Sequence, residues 1–364
     1  FVIEGSTKLK GKVNIGGFKN AAVAIIPATI LCPGKCIIEN VPRIQDVNVF
    51  LEILRELGAE ADYIDDTSLY VDATNINKCY LENGLSKRMR ASYYLLGAGL
   101  GRFKSASCLM PGGCDIGERP IDQHIKGFEA LGATVDVTPE GRVNVYADKL
   151  IGAKIYLDVV SVGATINIML AAVYAEGKTI IENAAKEPHI VDTANFLNSM
   201  GADIKGAGTD VIRINGVREL TGCTYRVIPD QIEAGTYMIA AAATKGDIII
   251  DDIIPKHMEP ITAKLKEMGM GIEEYGDSMR VYYERELVPV NIQTLPYPGF
   301  PTDLQQPMTV LLSSLYGEST VVEGVSEDRF KYAEELKKMG ACIEFTKRQA
   351  KIKGTKNLMG TVVQ

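Results

Sequence analysis

Histidine is scarce in this 364-residue chain: there are only His124, His189 and His257, far apart in sequence. No Cys-x-x-Cys accompanies them, so the usual donor sets for zinc are missing and no metal site is expected. None of the three lies in a Ser/His/Asp or Cys/His setting that would mark a nucleophile with its base. No run of about 18 apolar residues occurs, so no membrane insertion is expected. The opening residues Phe1 to Gly5 lack the charged and apolar regions of a signal peptide. No initiator methionine opens the chain, which is read as trimmed or incompletely represented at its N-terminus. The seven cysteines are odd in number and scattered, which reads as reduced thiols of a cytoplasmic protein. Positive charge is in deficit, with 39 Lys and Arg against 46 Asp and Glu and a net charge of -7. That balance argues against general nucleic-acid binding. An anionic ligand would need cations concentrated locally.

What is present is a soluble globular composition, 46% hydrophobic and 23% charged, in a chain long enough for two cores. The chain also repeats itself. A helix-like run ends in Leu57-Gly58-Ala59, Leu131-Gly132-Ala133, Met200-Gly201-Ala202, Met268-Gly269-Met270 and Met339-Gly340-Ala341. The spacing is about 70 residues, longer than the common solenoid periods. Each glycine stands where a helix C-terminus wants a left-handed residue. A second phrase keeps the same beat: a glycine turn followed by a β-branched run, as in Gly34 to Asn40, Gly177 to Asn183, Gly246 to Ile250 and Gly317 to Val322. Each unit carries another helix rich in small residues, beginning near Asn20, Ala91, Gly163, Ala234 and Leu304. Lys19, Arg90, Ser161, Asp230 with Glu233, and Asp303 stand just before or at those starts. Helix N-termini attract anions, and the small residues predict buried, closely packed helices. The unit reads as strand, helix, strand, helix, strand, strand, three copies to a domain. Five small-residue helices are present, a sixth would fall beyond Gln364, and Gly360 to Val363 reads as a strand. The last repeat is therefore expected to be missing from this chain.

The second unit departs from its siblings. After Ser105 to Met110 it carries Pro111-Gly112-Gly113-Cys114-Asp115-Ile116-Gly117-Glu118-Arg119-Pro120 where they have ordinary connectors. Glycines free the backbone, and a free loop bearing a thiol and a guanidinium reads as a working lid. Most cysteines are small buried hydrophobes, but the flanking glycines and charges argue against burial of Cys114. An ordinary thiol near 8.5 still holds a proton at neutral pH, whereas Arg119 would favour the thiolate. Spacing alone leaves acid and nucleophile both open. Lys87-Arg88-Met89-Arg90 is either a solvated turn or an anion site, and its match to Lys19 favours the second. Asp303, after a proline-stiffened approach, is either an N-cap or a carboxylate held as a general base. Asp230-Gln231-Ile232-Glu233 has the pattern of a capping box.

Several of these stretches together resemble one family. They are Gly16 to Ala22, Met89-Arg90-Ala91-Ser92, Pro111 to Cys114 with Ile116 to Pro120, Ser161 to Thr165, Glu187-Pro188 with Ile190 to Leu197, Pro229-Asp230 with Ile232-Glu233, and Phe300 to Asp303. In order and without large gaps they resemble the enolpyruvyl transferases, specifically the bacterial UDP-N-acetylglucosamine 1-carboxyvinyltransferases. The resemblance implies an α/β fold of two inside-out barrel domains, 21–228 and 1–20 plus 229–364, with substrates between them. It implies transfer of enolpyruvyl from phosphoenolpyruvate to the 3'-hydroxyl of UDP-N-acetylglucosamine, with phosphate released, as the first committed step of peptidoglycan synthesis. No cofactor is implied.

Residue by residue, the resemblance makes Cys114 the proton donor to the methylene carbon and Asp303 the base at the 3'-hydroxyl. Lys19 and Asn20 would contact phosphoenolpyruvate, and Arg119 would help neutralise phosphate. Arg90, Arg119, Pro120, Ile121, Asp122, Gln123, Val160, Ser161, Val162, Gly163 and Val325 fall where the family holds the sugar nucleotide, as Asp303 does. Fixed cations, a proton source and a dry, closed site are what transfer of a charged enol ether needs. Val159 replaces a lysine that many members carry near the nucleotide phosphates. Two further family arginines would lie beyond Gln364, so a polypeptide ending there is expected to bind sugar nucleotide better than it catalyses. The sister 5-enolpyruvylshikimate-3-phosphate synthase would carry a serine-rich Lys-Ser segment at Phe18-Lys19-Asn20 and no equivalent cysteine loop. A non-catalytic binder of UDP-N-acetylglucosamine is the alternative from another class.

Overall fold

The computed structural model describes residues 2–5, 7–81, 84–109, 120–355 and 358–363. The described residues divide into two compact units, one of 17–228 and one of 2–16 with 229–363. Both are built from one kind of sheet. In the unit 17–228 the strand Thr224–Arg226 runs parallel to Lys35–Glu39, which pairs antiparallel with Leu69–Asp72, and that strand with Glu60–Tyr63. A second sheet has the order Lys154–Tyr156, Lys178–Glu182, Val211–Asn215, Asp203–Lys205, with the same directions. The third is Ser105–Leu109, Arg142–Tyr146, Thr134–Val137, led by an isolated parallel bridge from Tyr80 to Ser107.

The other unit repeats the pattern twice. Lys10–Asn14 leads Asp247–Asp251, Ser278–Tyr283 and Met270–Tyr275, while Ile292–Thr294 leads Gly317–Glu323, Gln349–Gly354 and Cys342–Phe345. In three of the five sheets the leading segment precedes a helix that returns the chain to the next strand in parallel, as a crossover must. In the other two the chain changes unit after the leading strand. Lys10–Asn14 pairs with its own unit before the chain enters the other at Gly17, and Thr224–Arg226 does the reverse before Pro229.

Local chemistry accounts for the punctuation. Gly58, Gly132, Gly201, Gly269 and Gly340 all have φ between 91° and 118°, the left-handed region that glycine enters without a Cβ penalty. At four of them the helix closes in a Schellman motif, for example Gly58 N–H to Arg55 O and Ala59 N–H to Leu54 O at 3.0 and 2.9 Å. Asn40 and Asn183, also left-handed, end equivalent strands, and their side-chain amides donate to Val227 O and Leu157 O of the leading segments at 2.9 Å. Strand side chains alternate: Lys35–Glu39 buries Cys36 and Ile38 while Lys35 and Ile37 face out.

Helices Lys19–Ala28, Tyr94–Phe103 and Val162–Ala172 form the buried interior of the unit 17–228. Glycine makes their approach possible: a Cβ on Gly97 would sit 2.4 Å from Asn167 O, and one on Gly101 2.8 Å from Leu170 O. Asp192, on helix Pro188–Ser199 and 2% exposed, accepts the Tyr225 hydroxyl at 2.6 Å and the Ile228 N–H at 3.3 Å. In the other unit, helices Gln231–Ala243 and Gln305–Ser313 pack together, but one side stays open, with Tyr237 and Val310 37% and 42% exposed. The expectation of fully buried small-residue helices therefore fails there. Residues 360–363, expected as a strand, have no regular structure: their β-branched run suits a strand, but among the described residues no strand pairs with it.

Candidate active site

Cys114 and Arg119, and the loop that carries them, lie outside the described residues. The other expected site residues fall into two groups, one on each unit. In the unit 17–228, Lys19 opens its helix after an extended Phe18, and its ammonium pairs with Asp46 at 2.8 Å. Asn20 beside it is half-buried. Helix Lys19–Ala28 packs against the turn Arg90–Tyr93, where the Arg90 guanidinium lies 5.6 Å from the Tyr93 ring. Tyr93 meets His124 edge-on at 4.8 Å. Pro120 and Asp122 are exposed and Ile121 buried at the start of helix Asp122–Ala130. Gln123 is the tie: its amide donates to Asp122 and Asp158 at 2.9 and 3.2 Å and accepts the Asp158 N–H at 2.9 Å.

That tie brings the helix start against the segment ending in Val160, Ser161, Val162 and Gly163. Ser161 caps its helix by accepting the Ala164 N–H at 3.3 Å. Gly163 has to be glycine, because a Cβ would sit 2.7 Å from the Tyr93 hydroxyl and 3.0 Å from the His124 ring. Val160 is 43% exposed and Val159 58%, so this edge is accessible.

His124 was not among the residues singled out from sequence, yet it underlies this group. Burial, and then the Arg90 charge, push it down to about 4, so it is neutral at pH 7. Its Nδ1 takes a hydrogen bond from the Asn167 amide at 2.9 Å, which leaves the ring proton on Nε2. Asn167 also accepts the Gly97 N–H at 2.8 Å and donates to Tyr93 O at 2.9 Å. A neutral imidazole thus fixes Tyr93, and Tyr93 supports Arg90.

The second group belongs to the other unit. Asp303 is not an N-cap: Pro301 takes that place before the short turn Thr302–Leu304. Instead the Arg329 guanidinium grips Asp303 Oδ1 at 2.5 Å and Thr302 Oγ1 at 3.1 Å. Thr302 in turn donates to the buried Glu323 at 2.9 Å. The other Glu323 oxygen accepts the N–H groups of Val325 and Ser326 at 2.9 and 2.8 Å. One buried carboxylate therefore fixes Val325, Thr302 and, through Arg329, Asp303. Arg329 and Glu323 were missed from sequence. A lone Arg after the acidic Glu327-Asp328 shows no repeat counterpart to flag it.

Asp230 does cap helix Gln231–Ala243, accepting from Ile232 and Glu233 N–H at 2.7 and 3.2 Å. The box does not close on itself, because Glu233 reaches the Gly16 N–H at 3.0 Å instead. Among the described residues no group of three or more His, Cys, Asp or Glu is arranged to hold a metal ion. No described helix is long and apolar enough to cross a membrane.

Repeated α/β units, with cations at helix starts in one unit and an arginine-held aspartate in the other, define a scaffold for handling anionic substrates. The family model described as EPSP synthase (3-phosphoshikimate 1-carboxyvinyltransferase) matches residues 3–364. The chain belongs to that family of enolpyruvyl transferases. It is 59% identical over 363 residues to a UDP-N-acetylglucosamine 1-carboxyvinyltransferase of Clostridium botulinum, covering 100% of this chain and 87% of the relative. A Bacillus subtilis protein named UDP-N-acetylglucosamine 1-carboxyvinyltransferase 2 is 54% identical, with 100% and 84% covered. Among solved structures, the enolpyruvyl transferase NikO of Streptomyces tendae superposes with a TM-score of 0.86 at 26% identity, over 97% of this chain and 83% of that one. EPSP synthase of Acinetobacter baumannii shares the fold at a TM-score of 0.71 and 20% identity, over 96% and 83%.

Proposed function

We propose that this chain transfers the enolpyruvyl group of phosphoenolpyruvate to the 3'-hydroxyl of UDP-N-acetylglucosamine, releasing phosphate through a tetrahedral adduct. The observation that carries the reading is identity of 53–59% along the whole chain with curated enzymes of that name. The site chemistry supports it. The hydroxyl oxygen bonds to the substituted carbon of the enol while its proton passes to Asp303, kept in one orientation by Arg329. The Cys114 thiol delivers a proton to the methylene carbon, giving the adduct. Loss of phosphate and of a methyl proton restores the double bond. Lys19, Asn20 and Arg119 hold phosphoenolpyruvate. Arg90, the 120–123 segment, Val160 to Gly163 and Val325 hold the sugar nucleotide. Two domains, 21–228 and 1–20 with 229–364, and an inside-out arrangement of three units per domain belong to the same reading.

The test is phosphate release from phosphoenolpyruvate, measured with UDP-N-acetylglucosamine or with shikimate 3-phosphate as acceptor, beside calorimetric binding of each. Release with the sugar nucleotide alone, abolished in Cys114→Ser with binding retained, is expected. Release with shikimate 3-phosphate alone would overturn it. Tight binding of the sugar nucleotide with no phosphate released by the unsubstituted protein would replace the enzyme by a binder.

A further inference from the structure

Two cysteines four residues apart, Cys32 and Cys36, meet a third, Cys223, distant in sequence, at one place in the unit 17–228. Cys36 opens the buried face of strand Lys35–Glu39, and Cys223 directly precedes the parallel strand Thr224–Arg226. The register pairs Thr224 with Ile37, and the Ile37 N–H donates to Cys223 O at 2.9 Å. One step back along that register, Cys223 stands beside Cys36. Neighbouring strands lie about 4.8 Å apart, inside the Cα window of about 4.4–6.8 Å that a disulfide spans. Cys32 comes back to the same point through the Gly34 turn. A Cβ on Gly34 would lie 3.3 Å from Cys32 Sγ and 3.9 Å from Gly222 N, the residue before Cys223.

The influence of one thiol on the next runs in series, from Cys32 to Cys36 and from Cys36 to Cys223. Access is graded along the series: Cys32 and Cys36 are 2% and 0% exposed, whereas Cys223 is half-buried. So is acidity. The hydrogen bond from Cys36 holds the Cys223 thiol below its ordinary value against the effect of burial. Donating that bond, more than burial, pushes Cys36 up to about 11. The most reachable sulfur is thus also the readiest thiolate, with a second cysteine beside it in the strand register. Cys79 and Cys108, each 1% exposed, show what the ordinary case looks like here: buried and pushed up by desolvation.

We propose that Cys223 and Cys36 form a peroxide-reactive dithiol that closes to a disulfide between the two parallel strands. The Cys223 thiolate attacks one oxygen of a hydroperoxide. A sulfur–oxygen bond forms, the oxygen–oxygen bond breaks, and the other oxygen leaves as alcohol or water after taking a proton. Cys36, giving up its proton, then attacks the Cys223 sulfur and expels the sulfenic oxygen as water. Two thiols are oxidised by two electrons and one peroxide is reduced. Reduction by an external dithiol returns both thiols.

The test treats the full chain with hydrogen peroxide, quenches by alkylation and maps unreduced peptides by mass. A linked pair holding Cys36 and Cys223, lighter by two hydrogens and released by dithiothreitol, is expected. With dimedone present, Cys223 should be trapped as sulfenic acid at least about tenfold faster than the exposed Cys342. In Cys36→Ser the bridge is lost and the dimedone adduct at Cys223 accumulates. Oxidation of Cys342 ahead of Cys223, or a Cys223 sulfenic acid that persists unbridged in the unsubstituted protein, would overturn the proposal. Both readings come from the unsubstituted protein, so the idea stands or falls even if Cys36→Ser does not fold.

Discussion

Asp192 offers a prediction whose sign and size both follow from its surroundings. It is 2% exposed, and burial raises its carboxyl from 3.8 to about 6, although Tyr225 and the Ile228 N–H both donate to it. The native state therefore binds this proton more tightly than the unfolded chain does. Its contribution to stability is complete below about pH 4 and is lost as pH rises through about 6. At about 1.4 kcal/mol for each tenfold change in proton affinity, that displacement is worth about 3 kcal/mol. Asparagine at this position mimics the protonated acid at every pH. The difference in unfolding free energy, Asp192→Asn minus unsubstituted, should then grow by about 3 kcal/mol between about pH 3.5 and pH 7.5. Subtraction cancels other titrating groups, including His124, whose depressed value gives the opposite slope over part of the same range. Any cost of turning an amide N–H towards Ile228 is constant with pH and drops out of the comparison. Urea unfolding followed by circular dichroism at a series of pH values measures it. A difference that stays flat, or that shrinks as pH rises, would refute the burial argument.

Two further outcomes are expected. Gly97→Ala places a methyl 2.4 Å from a backbone oxygen that cannot move aside, and should cost about 3 kcal/mol, seen as a melting temperature lowered by roughly 6–12 °C. Gly360→Ala, with nothing within 4 Å, is its control and should melt with the unsubstituted protein. Arg329→Lys cannot hold Asp303 and Thr302 together from a planar fork, so phosphate release should fall about 100-fold with the melting temperature little changed. Unchanged turnover would remove Arg329 from its orienting role.

Features set by neighbours in the chain were legible before any coordinates. The Leu/Met-Gly-Ala phrase reports a helix end because the positive φ is a property of the glycine itself, and Ser161 and Asp230 cap their helices within three residues. Features set by register were not legible. Asp303 meets Arg329 across 26 residues of sequence, and Asp192 meets Tyr225 across 33, through packing that no local pattern announces. The cysteines read as scattered because only the pairing of Thr224 with Ile37 puts Cys223 beside Cys36. The strand reading of residues 360–363 failed for the converse reason: local propensity was right, but no strand among the described residues pairs with them.

The exchange of leading strands bears on how the chain matures on the ribosome. The partner of Lys10–Asn14 begins only at Asp247, whereas every strand of the unit 17–228 pairs with another strand of that unit. At about 5–20 residues per second, that first strand waits about 10–50 s for its partner to be synthesised. During that interval the middle of the chain can complete its own sheets while the beginning hangs unpaired, a short basic ribbon whose lysines, Lys8, Lys10 and Lys12, discourage premature association.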